Sequence, residues 1–144
     1  MTNTTATIDW QAGDALPART LEPVTRLQLI KYAGASGDYN PIHTIDQAAA
    51  EAGLTGVIQH GMLTMAEVGR LFSPYQDQGY VQRFETRFTG MVHVGDVLTI
   101  GGAVVGVEPR EDGTAYLCDV YANNQDGQAV ATGQVTYIQY DAHE

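Results

Sequence analysis

The chain has 144 residues, 44% of them hydrophobic, and a formal net charge of -10 from 17 acidic and 7 basic residues. That length suits one domain and is enough to bury a core without help from metal or disulfides. The acidity excludes the basic stripe that nucleic-acid binding needs, the single Cys118 excludes an internal disulfide and fits a reducing compartment, and no apolar run approaches the length of a membrane span.

The polar stretch Met1 to Ile8 does not read as a signal peptide, so a soluble, cytoplasmic protein is expected. Gly13-Asp14-Ala15-Leu16-Pro17 reads as a turn and Thr20 to Val24 as a short strand. Thr25 opens a first helix with a capping-box pattern, Thr25-Arg26-Leu27-Gln28; Leu27, Ile30 and Ala33 or Gly34 form its apolar face, and Gly34 and Gly37 end it. Asp46 is expected to cap a second short helix, Gln47 to Ala52, closed by Gly53. Met62 to Phe72 is the most apolar helix. Thr64, Glu67 and Arg70 fall on one narrow polar stripe, and Met62, Leu63, Met65, Ala66, Val68, Leu71 and Phe72 cover the remainder, as in a helix that is mostly buried. Ser73-Pro74 stops it.

Beyond Pro74 the period changes. Val81 to Thr89 alternates, with Phe84, Thr86 and Phe88 opposite Arg83, Glu85 and Arg87. Val97 to Val107, Thr114 to Ala122 and Ala129 to Tyr140 are Val-, Thr- and Tyr-rich runs, joined at Asp112-Gly113 and Asp126-Gly127 as hairpins require. Gly101-Gly102 within a strand marks a bulge or a close backbone approach. The expected class is α+β: a four-stranded antiparallel meander wrapped round the one helix apolar enough to cover it.

The run Ser36-Gly37-Asp38-Tyr39-Asn40-Pro41-Ile42-His43 carries the chemistry. Gly, Asp, Asn, Pro and His at fixed positions arise by chance in on the order of one chain in ten thousand or fewer. Asp and Asn bond their own backbone, Pro presets φ, and the residue before Pro leaves the helical region. Such a turn can aim Asp38 and His43 at one point as a general acid/base pair, with Asn40 either orienting the reacting groups or stabilising the turn. Gly61, at the start of the apolar helix, offers a backbone N–H in the positive end of the helix dipole, fit to hold a carbonyl oxygen and the enolate that develops on it. His60 reads as a packing residue of that loop, while His93 and His143 have no motif around them. No His/Cys/Asp spacing resembles a metal site, and there is no glycine-rich phosphate loop.

Tyr32, Ser36-Gly37-Asp38, Asn40-Pro41-Ile42-His43 and Ala49 match the motif of the MaoC-like, (R)-specific enoyl-thioester hydratases, which the chain resembles from about Trp10 to Tyr140. Gln59-His60-Gly61-Met62-Leu63 resembles that family's loop into its central helix, and Arg87-Phe88-Thr89 with Val92-His93-Val94-Gly95-Asp96 its following strand and turn. Ala35 and Met91 depart from the pattern, the latter where many members have Pro. Tyr32-Ala33-Gly34 and Met62-Leu63-Thr64-Met65 are similar to the small dehydratase subunits of fatty-acid elongation.

The resemblance implies a single hot-dog fold and reversible hydration of trans-2-enoyl thioesters to (R)-3-hydroxyacyl thioesters. Asp38 and His43 would share the water, and the Gly61 N–H would polarise the carbonyl. Met62, Phe72 and Phe84 are expected to wall the acyl pocket, and Arg83 and Arg87, with Arg70, to meet the carrier's phosphates unless they form only a solvated face. The carrier would be coenzyme A or acyl carrier protein, without metal or redox cofactor. A homodimer, or a heterodimer with a related hot-dog chain, is expected. The alternatives are a partner-dependent 3-hydroxyacyl-carrier dehydratase subunit, a non-catalytic acyl-binding subunit and a hot-dog thioesterase.

Overall fold

The computed structural model describes residues 8–141; Met1–Thr7, where the polar N-terminus was read, and His143 lie outside them. The first turn closes earlier than expected, where the Asp14 amide donates to the Gln11 carbonyl (3.0 Å) and the Gln11 amide to the Asp14 carboxylate (2.8 Å). Strand β1 (Ala15–Thr20) therefore occupies what had read as a turn, and little of Thr20 to Val24 is strand. Pro17 is tolerated because β1 is an edge strand, paired only with β3 (Thr99–Arg110) and with a register shift between Leu16 and Arg19.

Thr25 caps α1 (Arg26–Ser36) as its sequence predicts, its hydroxyl accepting from the Gln28 amide at 3.2 Å. The helix ends at Gly37, whose φ of 75° lets its amide turn back to the Ala33 carbonyl at 3.0 Å. The expected apolar face is corrected: Leu29 and Ala33 are buried, whereas Leu27 and Ile30 are more than half exposed. Apolar residues lie on both sides of α1, so periodicity does not single out one face.

In α2 (Asp46–Glu51), Asp46 is the first helical residue rather than the cap, and its carboxylate is held by Arg26 at 2.6 Å. The apolar helix α3 (Gly61–Gly69) is shorter than expected and tightens into a 3₁₀ segment, Arg70–Tyr75, which contains Pro74. Its orientation also differs. Thr64 faces inward, satisfied by the buried Gln59 amide at 2.8 Å, while Met62 and Ala66 face out.

The sheet has five antiparallel strands in the order β1-β3-β4-β5-β2. β3, β4 (Gly113–Asn123) and β5 (Ala129–Tyr140) form the expected hairpins, but β2 (Gly79–Phe88) pairs with β5, so the four-strand meander is corrected. No tight turn joins β2 to β3. The connection instead pairs with the segment before α3, through the Gln59 amide on the Val92 carbonyl (2.7 Å) and an Ile58–His93 bridge. Gly102 marks a close approach, since a Cβ there would lie 2.4 Å from the Asp119 carbonyl oxygen; the bulge itself falls between Val104 and Gly106.

The sheet curves round α3, and Leu63, Val68, Leu71 and Phe72 share one core with Ile100, Val104, Val120, Val135 and Tyr137. Each such side chain contributes about 1.5–3 kcal/mol on burial. Trp10 closes one end of the core, its ring edge-on to Phe72, Tyr75, Tyr116 and Tyr137 at 4.8 to 6.4 Å. Cys118 is buried in β4, and burial, helped by Asp119, pushes its thiol up to about 12, so it is no nucleophile near neutrality. The corrected α1 face predicts that Leu29→Ala lowers unfolding stability in urea by about 2–5 kcal/mol, while Leu27→Ala changes it by less than about 0.5 kcal/mol. The reverse ranking would restore the face expected from the sequence.

Candidate active site

The chain leaves α1 through a run of local bonds. From Gly37 onward, the Asp38 amide donates to the Ser36 hydroxyl (3.1 Å), the Asn40 amide to Asp38 Oδ1 (3.2 Å) and the Ile42 amide to Asn40 Oδ1 (3.2 Å). Pro41 then starts a single 3₁₀ turn, Pro41–His43. Asn40 is the side-chain cap of that turn, which gives it a definite structural role.

These bonds bring the two candidate groups together, with Asp38 Oδ2 3.7 Å from His43 Nε2. Asp38 is half exposed, whereas His43 is 7% exposed. His43 Nδ1 lies 2.7 Å from the Ile58 carbonyl oxygen. A carbonyl only accepts, so Nδ1 carries the hydrogen and, in the neutral ring, Nε2 is an acceptor facing the carboxylate. At 3.7 Å the two acceptors are too far apart for a direct hydrogen bond and close enough for one water to donate to both.

Gly61 is the first residue of α3, so its N–H is among the amides that a helix start leaves without an intrahelical partner. It adjoins the pair through His60, whose ring stacks on His43 with centroids 3.8 Å apart. Phe88 covers the other side, its ring 3.2 Å from where a Gly61 Cβ would stand, and Met62 is exposed beside it. Sequence reasoning missed Phe88 as a site residue, although its alternation with Phe84 places it on the same face of β2.

Phe72 lines a cleft of about 320 Å³ with Gly69, Tyr80, Val81 and Tyr137, and Phe84 stands against Gly69 nearby. Arg83 and Arg87 are not brought to the site. They occupy the opposite face of β2 from Phe84 and Phe88, where Arg83 pairs with Glu85 and Arg87 borders an open groove with Asp119 and Tyr121. Arg70 pairs with Glu67 at 2.9 Å.

Asp38, His43 and His60 also place one potential metal-ligand atom each within 4.8 Å of one another, a cluster that no sequence spacing announces. The arrangement does not suit a metal. Imidazole lone pairs lie in the ring plane, and the two rings are only 21° from parallel, so their nitrogens point side by side rather than converging. Each ring also has one nitrogen held against a backbone carbonyl.

A sheet wrapped round one helix, with a polar pair beside that helix's N-terminus, defines a hot-dog protein of α+β class. Residues 9–124 match the model of the MaoC like domain, and the chain belongs to the MaoC-like dehydratase family. It is 37% identical over 95 residues to the fatty acid synthase subunit beta of Aspergillus oryzae, covering 58% of this chain and only 5% of that protein. The R-hydratase PhaJ1 of Pseudomonas aeruginosa shares the fold with a TM-score of 0.80 and 24% identity, over 93% of this chain and 84% of that one. So does a chain in the structure of the ChsH1-ChsH2 complex of Mycobacterium tuberculosis, with a TM-score of 0.79 and 19% identity over 90% of this chain and 98% of that one. Among the described residues, no helix is long and apolar enough to cross a membrane.

Proposed function

We propose that this chain catalyses the reversible addition of water to trans-2-enoyl thioesters, giving (R)-3-hydroxyacyl thioesters. The observation that carries this reading is the convergence of Asp38 Oδ2 and His43 Nε2 at 3.7 Å with the His43 tautomer held by Ile58. A bridging water would attack the β-carbon as the pair removes one of its protons. The C=C π electrons move to the α-carbon and onto the carbonyl oxygen, and a proton returns to the α-carbon from the same side. The Gly61 N–H stabilises the enolate oxygen.

The acyl tail leaves past Met62 along the outward face of α3 toward Phe84 and the cleft at Phe72. Coenzyme A and acyl carrier protein both present the reacting group as a thioester and both fit this chemistry, with no metal or redox cofactor in the scheme. Arg83 and Arg87 keep no part in carrier binding within one chain, because they face away from α3. Membership of the MaoC-like dehydratase family supports the dehydration direction as a use of the same chemistry.

Loss of enoyl absorbance from crotonyl-CoA by the purified chain tests the reading directly. Asp38→Asn and His43→Gln should each lower turnover by about a hundred- to ten-thousandfold while the protein stays folded, and the double variant should be little worse than the worse single one. Turnover like the parent's in either single variant would sink the assignment. Gly61→Pro removes the donor at a position where His60, with ψ 132°, already has the extended conformation that precedes proline. A drop of roughly a hundred- to a thousandfold is expected. Gly61→Ala is the control, since it brings the same Cβ toward Phe88 but keeps the amide; equal rates in the two variants would remove the Gly61 role.

We also propose that the chain works as a dimer, with itself or with a related chain. β2 is a sheet edge of ten residues that leaves a row of backbone groups open beside exposed Val81 and Phe88. Sedimentation at micromolar concentration should show the pair, and a fully active monomer would contradict it.

A further inference from the structure

His60 touches Asp38 and His43 and adjoins Gly61, yet the scheme above gives it no role. It is 1% exposed, and its Nε2 lies 3.2 Å from the Asp38 carbonyl oxygen. Its ring stacks on His43 with centroids 3.8 Å apart, and Tyr32 approaches it edge-on at 4.8 Å. It is also the N-cap of α3, so its backbone leads directly into the Gly61 amide.

The bonding fixes the state of the ring. The Asp38 carbonyl only accepts, so His60 Nε2 carries the hydrogen and Nδ1 of the neutral ring is bare. Nδ1 is buried and has no hydrogen-bond partner. A buried polar atom without a partner destabilises the fold, so packing alone would be better served here by an apolar ring. The imidazole has a reason to be present in its other nitrogen, which grips the loop that carries Asp38.

We infer that His60 is a positioning residue for the proposed hydration, on which this inference rests: its Nε2–H holds the Asp38 backbone, with its flat ring lying against the His43 imidazole, so that the carboxylate keeps its spacing from the imidazole as a proton passes between water, carboxylate and imidazole. His60 itself transfers no proton. Burial lowers its proton affinity and the neighbouring His43 lowers it further, against the pull of its bond to the Asp38 carbonyl and of the Asp38 carboxylate; the net direction is down. It therefore stays neutral when His43 becomes charged, and two stacked cations are avoided.

Two variants separate the bond from the shape. His60→Phe keeps a flat ring on His43 and loses the donor, whereas His60→Gln places an amide N–H near the Nε2 position and loses the ring. With crotonyl-CoA, His60→Phe should lower kcat roughly ten- to a hundredfold with KM changed by less than about twofold, and His60→Gln should recover most of that loss. A folded His60→Phe as fast as the parent overturns the inference, as does His60→Gln slowed as far as His60→Phe. Nitrogen NMR of the histidine-labelled parent decides the matter even where neither variant folds. It should show His60 neutral with its hydrogen on Nε2 at about pH 8, and the His43 hydrogen on Nδ1. A cationic His60 at that pH, or a hydrogen on its Nδ1, overturns the inference. An inactive parent that shows the expected His60 state overturns the hydratase reading alone, and leaves His60 as the residue that positions this pair for whatever reaction it performs.

Discussion

The whole site depends on how the chain leaves α1. Gly37 adopts a left-handed conformation that other residues enter with strain, and this turns the backbone so that Asp38, Asn40 and Pro41 follow in bonded succession. With that exit in place, the carboxylate and the imidazole lie 3.7 Å apart. The bonds are local, so the turn needs only its own residues to form. What it needs from the rest of the fold is orientation, and that comes from Ile58 on His43 and His60 on Asp38.

Ile58 and His60 both belong to the segment that leads into α3. That segment is tied to the β2–β3 connection by the Gln59–Val92 bond and the Ile58–His93 bridge. The long connection between β2 and β3 therefore supports the strip that steers the Asp38–His43 turn as well as crossing the sheet. Gln59 and Thr64 bond to each other inside the core, so α3 starts at a defined residue and the Gly61 amide stands at a defined place. The sheet contributes rigidity: β3, β4 and β5 pair almost without interruption, and Phe84 and Phe88 on β2 close over α3 at Gly69 and Gly61. Catalytic groups carried on loops gain precision when such a scaffold over-determines them.

Much of this was legible in the chain itself, wherever the governing interaction is local. The Thr25 cap, the hairpins at Asp112-Gly113 and Asp126-Gly127, the full span of β5 and the convergence of Asp38 with His43 all follow from short-range chemistry. Several of the failures have the opposite cause. The partner of β2 is β5, about fifty residues away, and no periodicity encodes that choice. Thr64 reads as polar surface until its Gln59 partner is known. The alternation of β2 separates Arg83 and Arg87 from Phe84 and Phe88, but only the packing on α3 shows that the arginines are on the face away from the site. His60 precedes a glycine and looks like filler, because its bond partner Asp38 lies 22 residues earlier.

The central claim is that one turn presents Asp38 and His43 to the same side of the substrate, so that water's oxygen and the α-proton arrive on one face. The stereochemical course of hydration in deuterium oxide reads this directly. With crotonyl-CoA and the purified chain, the account predicts (R)-3-hydroxybutyryl-CoA carrying deuterium at the α-carbon on the same face as the new hydroxyl. Deuterium on the opposite face, or the (S)-alcohol, would contradict it.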